Sequence, residues 1–217
     1  MKAWLFLLLT LPLLAGAGSI HSGVPESVSP ESVYLIYLHG RIIENSGPRP
    51  THPQFGRYDY PAVLEALSSR GGVVISAQRP PETDVDQYAS VVIRQVETLI
   101  ERGVPPGNIV VIGFSKGGAI SMRVSSRLQR PQVRFVLLAS CPEGRAMLQL
   151  KLTGHILSVH ETSDSLAGSC KPYASQPDGP VSFKEIAIST GKMHGAFYLP
   201  RPEWANPVLD WVHGASD

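Results

Sequence analysis

Ile109-Val110-Val111-Ile112-Gly113-Phe114-Ser115-Lys116-Gly117-Gly118-Ala119-Ile120 is the stretch that decides the fold. Its first four residues are β-branched, as suits a strand buried on both faces. Residues 113–117 then read G-x-S-x-G. Beyond them, Ala119, Ile120, Met122 and Val124 supply the apolar face of a helix packed on a sheet. Strand, sharp turn and helix are the setting in which this motif presents a nucleophile. Glycines flank the serine because a Cβ there would strike the neighbouring strand or helix. The turn strains the serine backbone and lifts the Ser115 hydroxyl clear of the sheet, at the positive end of the helix dipole. The competing reading is an ordinary glycine-rich turn with Ser115 as a helix N-cap.

On either side of this stretch, strand and helix patterns alternate. Residues 33–38 (Val-Tyr-Leu-Ile-Tyr-Leu) form the first strong strand, and His39-Gly40-Arg41 follows at its C-terminal end, where open α/β sheets place their ligand sites. Residues 42–60 read as a long irregular loop. With Arg41 it presents Arg49, His52, Arg57, Tyr58 and Tyr60 as substrate contacts or as a solvated surface. A helix is expected over 61–70, a strand over 73–76, and a helix opened by a capping box at Thr83 to Asp86 and running to about 102. After the central helix come a strand over 133–138, a short helix over 143–151, strands over 155–159 and 183–188, and a closing helix over 204–212. This alternation predicts an α/β fold: a mostly parallel central sheet, helices on both faces, no large cap domain.

Composition narrows the function classes. The 217 residues suffice for one domain with a substantial core. The formal charge of +1 provides no global field to draw in nucleic acid or an anionic membrane. Neither a Walker loop, nor G-x-G-x-x-G, nor H-E-x-x-H, nor C-x-x-C occurs, so no cofactor and no metal is expected. Residues 1–17 have the form of a signal peptide. Lys2 precedes an apolar run over 3–14, too short to span a bilayer comfortably, and Ala15-Gly16-Ala17 resembles a cleavage site. The polar residues 18–32 read as a linker, and residues 33–217 as the domain. Export to a periplasmic or extracellular space is expected, with no stable membrane insertion after cleavage. The two cysteines, Cys141 and Cys170, then form a disulfide.

A serine hydroxyl is a weak nucleophile at neutral pH and needs a base that is itself oriented by an acid. Asp164 follows the strand over 155–159, and His194 follows the strand over 183–188. The chain order Ser115, Asp164, His194 is the one this architecture uses. Glu161 and Asp178 compete for the acid. His155, His160, His213 and His21 are weaker candidates for the base. Tetrahedral intermediates also require preorganised N–H donors. The backbone amide of Lys116 is one, and Arg41, after the first strong strand, is the other. His39 is expected to hold its loop by hydrogen bonds, and the Lys116 side chain to run along the helix to solvent.

Leu38-His39-Gly40, residues 113–118, Asp164 and His194 together resemble the α/β-hydrolase superfamily over residues 33–212. Residues 113–118 are similar to the small, lid-less carboxylesterase and acyl-protein thioesterase branch, where Gln commonly stands in place of Lys116. That resemblance implies ester or thioester hydrolysis without a cofactor, and the absence of a large cap suits a small-molecule or polymeric ester. The chain departs from the branch in its expected export, its disulfide and its long basic loop after Gly40.

Overall fold

The computed structural model describes residues 18–142 and 149–214. The signal segment, most of the short helix expected over 143–151, and residues 215–217 lie outside them. In chain order the elements are β1 (Ile20–His21), β2 (Tyr34–Leu38), α1 (Arg41–Ser46), β3 (Thr51–His52) and β4 (Gly56–Arg57). There follow α2 (Tyr60–Ser68), β5 (Val73–Ile75), α3 (Val85–Glu101), β6 (Ile109–Phe114) and α4 (Lys116–Leu128). The last are β7 (Arg134–Leu138), β8 (His155–Glu161), α5 (Lys171–Ala174), β9 (Ser182–Ile188) and α6 (Pro202–His213).

Seven strands form one sheet in the order β1-β5-β2-β6-β7-β8-β9, and every pairing in it is parallel. Parallel pairs need crossovers, and the helices that make them cover both faces. This explains why β2, β6 and β7 are buried at every residue. Within β6 the side chains divide by strand period. Val110, Ile112 and Phe114 join one core layer with Val63 and Leu67 of α2 and Val208 and Val212 of α6. Ile109 and Val111 join the other, with Val92, Val96 and Leu99 of α3 and Ile120 and Val124 of α4. Each such aliphatic side chain contributes about 1.5–3 kcal/mol on burial, so the two layers dominate the fold's stability.

From β2 the chain moves to β5 on one side. From β6 it moves through β7, β8 and β9 on the other. The neighbours β2 and β6 therefore flank the point where the winding reverses. A crevice opens there beyond the carboxyl ends of the strands. His39-Gly40-Arg41 and Ser115 lie at those two ends.

Three sequence expectations are corrected. Residues 18–32 are not simply a linker: Ile20 and His21 pair with Val74 and Ile75, adding an edge strand to the sheet, and Val24 and Val28 pack on the core. A two-residue strand has no alternation to read, so its partner alone defines it. Residues 42–60 are not an irregular loop. They contain α1 and the β3–β4 hairpin, in which Thr51 pairs with Arg57 and His52 with Gly56. The start of α3 is also displaced by one residue. Asp84 is its N-cap, accepting from the N–H groups of Asp86 and Gln87, and Thr83 bonds back to the Pro80 carbonyl.

Candidate active site

The turn after β6 has the strained geometry its sequence demands. Ser115 has φ 54° and ψ −116°, in the left-handed half of the map that a side chain disfavours. A Cβ at Gly117 would overlap the Leu38 carbonyl oxygen, and one at Gly113 would overlap Ser121 Oγ and the Gly117 carbonyl. Glycine at these positions lets β6, α4 and the end of β2 approach this closely. The Ser115 N–H bonds to the Leu138 carbonyl at 3.0 Å, pinning the turn to β7.

The two residues expected as acid and base meet. His194 Nδ1 and Asp164 Oδ2 are 2.7 Å apart, and both side chains are almost wholly buried. Asp164 lies three residues beyond β8, and its other oxygen accepts the Leu166 N–H at 2.9 Å. A carboxylate can only accept, so Nδ1 is the donor, which makes Nε2 the acceptor in the neutral imidazole. His194 lies on a 3₁₀ turn over Met193–Phe197. Its ring packs 4.9 Å from that of Phe114 and 5.7 Å from that of Phe55.

Ser115 and His194 line two adjoining cavities together. One, of about 230 Å³, has small apolar walls from Ala119, Ala139, Pro142, Leu166 and Ala167. The other, of about 260 Å³, is bounded by Arg41, Asn45, His52, Phe55 and Tyr198. Burial and then the Asp164 charge push the Tyr198 phenol up to about 12, so it stays a donor at neutral pH. Among the described residues Ser115 Oγ has no hydrogen-bond partner, and it is open to both cavities. A larger cavity, of about 510 Å³, lies between β9 and α6 near His155 and Trp211, and contains none of the expected site residues.

The competing candidates lie elsewhere. Asp178 pairs with Lys151 in the open. His155 bonds to the Ser182 hydroxyl at the opposite ends of the strands, and His21 to the Ser19 hydroxyl. His160 lies 3.9 Å from Glu185. Glu161 is buried and bonded to Ser163 and Thr190.

Arg41 and Lys116 are the first residues of α1 and α4, so their backbone N–H groups have no acceptor within their own helices. The Gly40 turn is close to the serine: a Cβ on Gly40 would stand 3.8 Å from Ser115 Cβ and about as near as packing allows to the Phe114 ring. His39 accepts the Arg79 N–H at Nε2, 2.9 Å, and its Nδ1 bonds to the Gly40 carbonyl at 2.9 Å. Burial, and then the Arg79 charge, push this imidazole down to about 3. It is therefore neutral, and its two ring nitrogens are committed to the loop.

Five side chains differ from their sequence reading, among them Tyr60, which is buried with its hydroxyl 2.6 Å from that of Ser76. Tyr58 contacts no substrate cavity. It is fully buried, with its hydroxyl 2.7 Å from that of Tyr37 and its ring stacked on Tyr198. Arg49 and Arg57 both turn to Asp59, away from the serine. Lys116 does not run to solvent. Its Nζ lies 2.6 Å from Glu44 Oε2. The sequence reading does not single out Phe55, Glu44 or Arg79 as site residues. Glu44 carries one signal, an acidic residue three positions beyond Arg41.

Cys141 and Cys170 are disulfide-bonded. The Gly168 N–H also bonds to the Cys141 carbonyl, so the loop after Asp164 is clipped to the end of β7.

The family model described as Phospholipase/Carboxylesterase matches residues 74–167, a span that contains Ser115 and Asp164. A search of curated proteins found no match. Among solved structures, Arabidopsis thaliana SOBER1 is similar in fold, with a TM-score of 0.56 at 15% identity, over 83% of this chain and 97% of that one. The family match supports a hydrolase of the carboxylesterase type. The chain has an α/β-hydrolase-like fold, and its central segment is similar to the phospholipase/carboxylesterase family.

Proposed function

We propose that the chain is an exported serine hydrolase that cleaves carboxylic esters through an acyl-enzyme on Ser115. The observation that carries this reading is the buried 2.7 Å Asp164–His194 hydrogen bond beside cavities that His194 shares with the strained Ser115. Ser115 Oγ attacks the ester carbonyl while His194 Nε2 takes its proton. Asp164 holds the imidazole in the required tautomer and stabilises the imidazolium. The oxygen that becomes negative is received by the backbone N–H groups of Lys116 and Arg41. The intermediate collapses, the alcohol leaves with the proton from His194, and water enters by the reverse route to release the acid.

The Arg41 side chain is exposed at the rim of the 260 Å³ cavity and is available to the alcohol portion of a substrate. The disulfide and the N-terminal sequence support the export part of the reading. Sequencing the N-terminus of protein recovered outside the cytoplasm tests it: a start near Gly18 is expected, and a retained Met1 would contradict it.

Turnover of matched ester, thioester and amide substrates by wild type and Ser115→Ala tests the chemistry. Ester turnover that disappears in the variant is expected. Preference for the thioester or the amide would move the reading to those substrates with the same residues. Unchanged turnover in the variant would remove Ser115 as the nucleophile.

A further inference from the structure

Glu44 and Lys116 join the two segments whose backbone N–H groups form the oxyanion hole in the reading above. Lys116 directly follows Ser115 and opens α4, and Glu44 lies three residues into α1 from Arg41. Lys116 Nζ and Glu44 Oε2 are 2.6 Å apart, with the Glu44 side chain fully buried. We propose that this ion pair is a clasp that sets the spacing of the oxyanion hole, making Glu44 and the Lys116 side chain positioning residues. The inference rests on Ser115 being the nucleophile.

Charge balance alone does not explain the pair. Arg79 already neutralises Glu44: its Nε lies 2.8 Å from Oε1, and both side chains are fully buried. A buried carboxylate needs one such partner to remain ionised. The second cation is surplus to that need, and it comes from the residue that follows the nucleophile. Arg79 extends the arrangement, because its guanidinium also donates to the His39 carbonyl and its N–H to His39 Nε2. The His39-Gly40 turn and α1 therefore hang on one cation, and α4 is tied to them through Glu44. α1 has six residues and no side-chain cap, so tertiary contacts must fix its direction. Two cations against one anion also leave a net positive charge next to the hole, which favours a developing oxyanion.

The test uses Lys116→Met, which keeps the side-chain stem and the backbone N–H, with Lys116→Arg as the conservative control. Glu44 retains Arg79 in both, so both are expected to melt close to wild type. Turnover of a short-chain chromogenic ester and inhibition by a boronic acid, a mimic of the tetrahedral adduct, are measured alongside Ser115→Ala. Lys116→Met is expected to lower kcat about 10- to 100-fold with KM nearly unchanged, and to weaken the boronate by a matching factor. Lys116→Arg recovers most of both. Glu44→Gln/Lys116→Met loses no more activity than the worse single variant, as partners in one contact should. Lys116→Met with wild-type kcat and boronate affinity, beside an inactive Ser115→Ala, overturns the clasp and spares the nucleophile. A rise in KM alone, or a Lys116→Met protein that does not fold, overturns it equally. An active Ser115→Ala removes the reading on which it rests.

Discussion

One carboxylate oxygen of Glu161 accepts two hydrogen bonds from Thr190, from the backbone N–H at 2.8 Å and from the hydroxyl at 2.7 Å. The other oxygen accepts from the Ser163 hydroxyl at 3.0 Å. Glu161 ends β8 just before Asp164, and Thr190 follows β9 just before His194. The loops that carry Asp164 and His194 thus share a buried anchor.

This anchor predicts both a loss and a pH signature. Burial works to raise the Glu161 carboxyl, and the hydrogen bonds from Thr190 and Ser163 outweigh it, so its folded pKa is below the ordinary value. Its contribution to stability is therefore complete above the unfolded carboxylate pKa and is lost as pH falls through the lower folded value. Glu161→Gln turns an amide donor toward existing donors and should cost about 2–3 kcal/mol near neutrality, with a lower kcat. Urea denaturation at several pH values should show wild type and variant converging in acid. Parallel curves would mean that the carboxylate adds nothing.

His39 should make the fold acid-sensitive. Its folded pKa lies near 3 against an ordinary 6.5. The unfolded chain therefore takes up a proton that the folded one refuses, and stability falls as pH drops from 6.5 towards 3. The contribution is about 5 kcal/mol at most. In His39→Asn the slope of unfolding free energy against pH should flatten across that interval. A variant as steep as wild type would refute the assignment.

Reducing the disulfide should loosen the wall of the apolar cavity. Cys141 and Cys170 are 29 residues apart, a loop whose closure is worth about 3–4 kcal/mol. Pro142, Leu166 and Ala167, which line the cavity, lie beside or within that loop. Cys141→Ala/Cys170→Ala should melt lower and turn over ester more slowly. A double variant with unchanged melting and kcat would show that the bridge neither supports the fold nor shapes the site.

The legibility of these features in sequence follows from where each one's information lies. The run 109–112 reads as a buried strand because both faces of β6 are apolar. Ser115, Asp164 and His194 are legible because each stands just past a readable strand. What was hidden depends on partners far along the chain. Ile20 and His21 become a strand only against Val74 and Ile75. Tyr58 looks like a surface residue until its hydroxyl finds that of Tyr37. α1 is not legible because its inward face includes Glu44, a charge whose burial requires Arg79, 35 residues away. The inward turn of Lys116 is hidden for the same reason, since its partner is Glu44.

Gly117→Ala tests the close approach at the turn. The added methyl would overlap the Leu38 carbonyl, and neither backbone can move without displacing β2 or α4. The variant should lose ester turnover and melt well below wild type, in contrast to Ser115→Ala, which should keep its melting temperature. Wild-type activity in Gly117→Ala would mean that the turn is looser than described.

The most direct measurement is covalent labelling of the intact protein by a fluorophosphonate, followed by mass analysis of its peptides. The account predicts one label per chain, on Ser115, with labelling strongly slowed in His194→Ala and in Asp164→Ala. No label, or one carried equally well by the His194→Ala protein, would contradict an activated serine at this turn.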